Sequence, residues 1–334
     1  MATRRDFLAT LTAAAGALAA RPIAALAAQA PAPKARVVVL RDEALTAADP
    51  APAKVRALLD AAAQALQGAG KPADAWAASF KTGDRVGIKV NCLGLPTRPA
   101  VALALADAVS AAEVAPERTI IWDRFNRELQ AAGYDLRSGG RGVRCFGTDA
   151  LAARGSGGYA PEIITSGRIG SLFSRIVTDE ATALVSVSVL KDHNLAGLTG
   201  ALKNFYGAIH NPNKYHMNGC DPFIADVCAS ALVRERLRLA VCDATRPQYH
   251  GGPPVRAQWQ WAYGGLVLGR DAVAVDRVAA EILERKRRTA GLKSLADDGR
   301  PVRHLASAEE RGLGTADLGR IEIVSLGKPW LDVG

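Results

Sequence analysis

The chain has 334 residues, 49% of them hydrophobic and 22% charged, which excludes a disordered or fibrous protein and predicts one large domain or two closely joined ones. Its 42 Lys and Arg against 33 Asp and Glu give a net charge of +9, yet no basic tract reaches five residues. With aromatics at 5% and no Cys/His finger spacing, the charge speaks for solubility or an anionic small ligand and against nucleic acid.

The first segment reads as an address. Thr3-Arg4-Arg5-Asp6-Phe7-Leu8, leading into an Ala-rich run that ends at Ala20, resembles a twin-arginine export signal. Ala25-Leu26-Ala27 supplies the small-x-small pattern of a cleavage site. The expectation is therefore a signal peptide over residues 1–27, a Pro/Ala linker over 28–34 and a single α/β domain over 35–330. No later stretch approaches ~20 uninterrupted apolar residues, so no membrane anchor is expected after processing. The mature protein is expected in the periplasm or secreted, exported folded by the twin-arginine machinery.

Strand and helix patterns then alternate. Ala35 to Leu40 is rich in β-branched residues and reads as a strand, and Val55, Leu58, Leu59, Ala62 and Leu66 recur at helical spacing between Lys54 and Gln67. A strand from Arg85 to Val90 follows the turn Thr82-Gly83-Asp84; a helix from Val101 to Ala112 and a strand from Arg118 to Trp122 come next. Ala183 to Leu190 reads as a buried strand, Ile224 to Leu237 as helix, Leu239 to Cys242 as strand, Ala272 to Lys286 as helix and Ile321 to Val324 as a closing strand. Such alternation predicts a mainly parallel sheet flanked by helices. Arg137 to Arg144 and Ala153 to Gly158 read as surface insertions or loops at a site mouth.

Polar residues stand where the strands end. Lys89 and Asn91, Asp123, Lys191 and His193, and Asp243 follow four apolar runs, and in a parallel sheet the carboxyl ends share one edge, outside which ligands bind. Lys89, Lys191, His193 and Asp243 are the candidate catalytic residues. Gly197 and Gly200 permit close backbone approach, and a helix starting after them would offer free N–H groups to an anion beside Lys203 and Asn204. The spacing is not that of a Walker A loop. For a divalent metal the candidate ligands are His193, His210, His216 and Asp123, although no standard zinc spacing is present. Asp221 reads as a helix cap, His250 as a residue able to reach the same cleft, and His304, amid Arg and Ala, as a surface residue. Asp271 reads as an N-cap and Asp276 as a buried partner for Lys or Arg. The five cysteines, Cys92, Cys145, Cys220, Cys228 and Cys242, contain no C-x-x-C, so neither a disulfide framework nor a ferredoxin-type cluster is predicted; buried thiols are expected and one disulfide stays open.

At Lys89-Val90-Asn91, Lys191-x-His193, the run Gly-Leu-Thr-Gly-Ala-Leu-Lys-Asn-Phe-Tyr-Gly from Gly197 to Gly207, Gly251-Gly252-Pro253, Asp271 to Asp276 and Gly312-Leu313-Gly314, the chain resembles the family called domain of unknown function 362. The resemblance spans roughly residues 35 to 325, with the Lys-x-His to Lys-Asn segment its most specific part. Some relatives carry an added iron–sulfur segment whose cysteine pattern this sequence lacks. The resemblance implies where a site lies more than what it does. The expectation is an enzyme acting on an anionic small molecule, with His193 as general acid/base or metal ligand. The alternatives are a periplasmic protein that binds or delivers an anion or metal, and an iron–sulfur redox partner.

Overall fold

In the computed structural model, which describes residues 34–48 and 50–334, the pattern resolves into β1 (Ala35–Arg41), α1 (Pro52–Gln67), α2 (Pro72–Ala77), β2 (Val86–Val90), α3 (Pro99–Ser110), β3 (Thr119–Trp122), α4 (Asn126–Ala131) and β4 (Arg144–Cys145). Then follow β5 (Ile164–Ser166), β6 (Ile169–Ser171), β7 (Ala183–His193), β8 (Gly197–Thr199), α5 (Phe223–Ala229), α6 (Ala231–Arg234), β9 (Leu237–Gln248), β10 (Gly265–Gly269), α7 (Ala272–Thr289), α8 (His304–Glu310) and β11 (Ile321–Gly327). The expected signal peptide lies outside the described residues. Among those described, no helix is long and apolar enough to cross a membrane.

One sheet organises the domain, in the order β11-β1-β10-β9-β7-β2-β3-β4, with β8 paired to β7. Along that path β10 alone runs against its neighbours; β1–β11, β9–β7, β7–β2, β2–β3 and β3–β4 are all parallel. The fold is thus α/β with a mainly parallel sheet, and the ends of β2, β3 and β7 share one edge. Both faces are covered, which is why β7 reads as a nearly continuous apolar run. On one face Ile88, Val185, Val187, Leu239 and Val241 meet Val55 and Leu59 of α1 and Val101 and Leu105 of α3. On the other, Trp122, Leu184, Cys242 and Val267 meet Phe205, Val273, Val278 and Ile282.

The elements form for local reasons. In α1, Val55, Leu59, Ala62 and Leu66 make one buried stripe, Pro52 opens the helix and Gly68 closes it at φ 66. Asp271 caps α7, accepting from the Ala274 N–H at 2.9 Å, and Lys286, Arg287 and Arg288 crowd the negative end of the helix dipole.

Two expectations need correction, and one strand carries no sequence signal. The helical run from Ile224 to Leu237 breaks at Ser230, which takes ψ 140 and donates its hydroxyl to the Val227 carbonyl, so that Leu237 already belongs to β9. β7 continues past Leu190 through Lys191, Asp192 and His193, because β8 folds back to pair with them. β10 went unread because it is short and begins and ends in glycine, a residue depleted in strands.

Candidate functional site

A cavity of about 410 Å³ opens at the carboxyl ends of β2, β3 and β7, in the size range of small-molecule sites. Of the expected residues, Lys89, Asn91, Asp123, His193, Lys203, Asn204 and His216 line it. Lys191, Gly197, Gly200, His210 and Asp243 do not.

Lys89 closes the floor. It is 1% exposed, and its Nζ donates to Asp123 Oδ1 at 2.7 Å, to the Val90 carbonyl at 2.6 Å and to Asn204 Oδ1 at 3.2 Å. Asn204 returns its amide to the Lys89 carbonyl and to Ser186 Oγ, while Asp123 also accepts from the backbone N–H groups of Cys92 and Arg124. Every acceptor is matched, so this charge is neutralised within the protein. Gly207 lets the network close, since a Cβ there would press on the Lys89 side chain.

Lys203 is different. It is 9% exposed, lies 4.8 Å above the Tyr206 ring and, among the described residues, makes no ion pair with a carboxylate; its hydrogen-bond partner there is His216 Nε2 at 3.5 Å. Burial pulls its ammonium down to about 8. The cavity thus holds one buried cation that no anion of the described residues balances, with Arg124 and a half-buried Glu128 at its side.

The two cavity histidines take opposite roles, assigned from their hydrogen-bond partners. His193 Nδ1 accepts from the backbone N–H groups of Leu195 at 3.1 Å and Ala196 at 3.2 Å, so Nε2 carries the proton. Burial first, then the Lys203 charge, push this imidazole down to about 2, leaving a neutral ring that offers an N–H. His216 Nδ1 donates to the Pro212 carbonyl at 3.0 Å, so Nε2 keeps its lone pair; burial, then Lys203, lower this ring too. The rings are 5.9 Å apart between centroids.

Several expectations change. With its Nδ1 engaged by the backbone, His193 presents an N–H to the cavity instead of a lone pair. Lys191 spends its ammonium on Asn91 Oδ1 at 2.8 Å and the carbonyls of Leu93 at 2.5 Å and Leu95 at 2.8 Å, holding the loop after β2. Burial and then the Lys203 charge draw it to about 7, against three oxygens that favour the charged form. Asp243 lies on the same face of β9 as Val241, where it accepts from Thr245 and from the Arg98 N–H at the start of α3. His210 lies apart with its ring on Tyr159, and among the described residues no three His, Cys, Asp or Glu side chains come together to hold a metal ion. Asp221 makes no capping bond, and Pro222 stands at that position. His250 borders a separate surface pocket with Asp298 and Arg300. His304 is wholly buried with both ring nitrogens unpartnered, held down to about 3 by burial and then by Lys203. All five cysteines are buried and free, and neither expected loop insertion lines the cavity.

The glycine pair serves the fold. Gly197 lies against the Arg300 carbonyl, and a Cβ at Gly200 would overlap the Asp276 carboxylate. Asp276, fully buried, takes the N–H groups of Ala201 at 2.6 Å and Leu202 at 3.0 Å, so the anion bound at this turn is the protein's own and not a ligand, and its partners are backbone groups rather than Lys or Arg. Burial, ahead of the opposing backbone hydrogen bonds, raises Asp276 to about 7. Gly200→Ala should therefore displace the turn that presents Lys203 and lower stability by about 1–3 kcal/mol in chemical denaturation; an unchanged midpoint would show that the turn yields without strain.

Sequence reasoning missed Arg124, Glu128 and Tyr206. Arg124 directly follows Asp123, and Glu128 lies one turn into the short helix after β3, so the strand-end argument carried a few residues further would have reached both.

A family model described as Domain of unknown function (DUF362) matches residues 86–281, a span that holds β2 through most of α7 and with them Lys89, Asp123, His193, Lys203 and His216. No curated protein matches the chain.

Proposed function

The chain belongs to the domain of unknown function 362 family, and from that premise and the cavity its matched span encloses, we propose that it is an exported enzyme acting on an anionic small molecule. The observation that carries this reading is Lys203, a buried ammonium with no carboxylate partner among the described residues, set between a fixed N–H donor and a fixed lone pair. The anionic group pairs with Lys203. A neighbouring carbonyl oxygen accepts from His193 Nε2–H, which is placed to stabilise negative charge there, and His216 Nε2 accepts a proton. The reaction class this supports is proton transfer from carbon next to a carbonyl. The C–H electron pair becomes the C=C bond of an enolate, the carbonyl π pair moves to the oxygen facing His193, and the proton goes to His216 Nε2. The Arg-Arg segment at residues 4–5 supports export to the periplasm by the twin-arginine route.

The test is deuterium incorporation in D₂O, followed by NMR, for a panel of 2-oxo and 3-oxo carboxylates. Exchange with the full chain that is lost in His216→Ala, while the acid still binds, is the expected outcome. An acid that binds without exchanging over long incubation would instead make the protein a binding or delivery protein.

A further inference from the structure

Among the described residues seven large apolar side chains stand exposed, and two of them lie at the cavity. Leu93 and Leu195 both line the cavity that Lys203 enters. Leu93 is 62% exposed and Leu195 42%. Exposed apolar side chains lining a cavity that also holds the unbalanced Lys203 ammonium mark a binding feature rather than scattered exposure. A small acid such as acetate would engage Lys203 and leave the mouth wet.

We infer that the substrate is an amphiphilic anion, a carboxylate head on an apolar body that runs from Lys203 out across Leu93 and Leu195. This rests on the anion reading given above and adds the body to it. Each methylene laid on the rim should tighten binding by about threefold to fourfold. Polar substitution of exposed rim residues leaves the core untouched, so folding is not at stake.

The experiment is calorimetric titration of the full chain with acetate, butanoate, hexanoate and octanoate. Affinity is expected to rise about 100-fold from butanoate to octanoate. In a Leu93→Ser, Leu195→Ser double variant that gain should shrink to below about tenfold. A flat dependence on chain length in the native protein, or the same slope in the double variant, overturns the inference while leaving an anion site in place. If no acid binds, or Lys203→Met binds all four like the native chain, it is the anion reading that fails, and this inference with it.

Discussion

Lys89→Met is expected to lower stability by about 3–5 kcal/mol, the cost of leaving one member of a buried ion pair without the other. The substitution keeps the apolar stem and removes three hydrogen bonds at once, to Asp123, to Asn204 and to the Val90 carbonyl. It leaves the Asp123 carboxylate, almost fully buried, with only two backbone N–H groups. A second change, Asp123→Asn in the same chain, should restore part of the loss, because the uncompensated charge and not the missing methylene packing dominates. Urea denaturation of the two variants checks this. A loss of under about 1 kcal/mol for Lys89→Met would mean that water reaches Asp123 and that the floor of the cavity is not the sealed network described here.

Anion affinity is expected to fall as pH rises through about 8, by about tenfold for each further unit, because only the protonated Lys203 attracts the ligand. The groups facing it do not reproduce this profile. Lys191, drawn to about 7, loses its proton at lower pH and is turned to the loop after β2, and His193 and His216 are both shifted down, so the two rings stay neutral across that range. A bound anion favours the ammonium, so the fall begins above 8 when ligand is saturating. Without ligand the same group acts in the opposite direction on the fold. Its folded value lies below the ordinary lysine range, so the unfolded chain holds the proton more tightly and the Lys203 contribution to stability improves between about 8 and 10.5. Binding that weakens while this contribution grows distinguishes Lys203 titration from general alkaline loosening. A binding constant flat from pH 7 to 10 would remove Lys203 from ligand recognition.

The strand-end argument reached Lys89, Asn91, Asp123 and His193 because side-chain direction follows parity. Lys89 shares a face with Gly87, opposite Ile88, and that is the face on which Trp122 and the 201–209 turn lie. The same parity defeats the argument at Asp243, which follows Leu239 and Val241 to the α3 face. Strand ends reveal an edge of the sheet, and only the face decides which residues meet. Lys191 shows a second limit, since the backbone carbonyls of Leu93 and Leu95 that absorb its charge belong to an irregular loop without sequence signature. His304 shows a third. It stands more than 100 residues beyond Lys203 in the chain, among Arg and Ala, yet α8 folds it into the interior. Nor do the letters show which nitrogen of His193 or His216 carries the hydrogen, because backbone partners two to four residues away set it. The glycine-rich run was legible as a close approach, but what approaches Gly200 is Asp276 from α7, brought there by the sheet.

The most direct test of the anion site is calorimetric titration of octanoate into the full chain and into Lys203→Met at pH 7. The native protein should bind saturably at one site, and the variant, folded with an unchanged denaturation midpoint or a higher one, should lose at least about 100-fold in affinity, the scale of a desolvated charge pair. Equal binding by the two proteins would contradict the account.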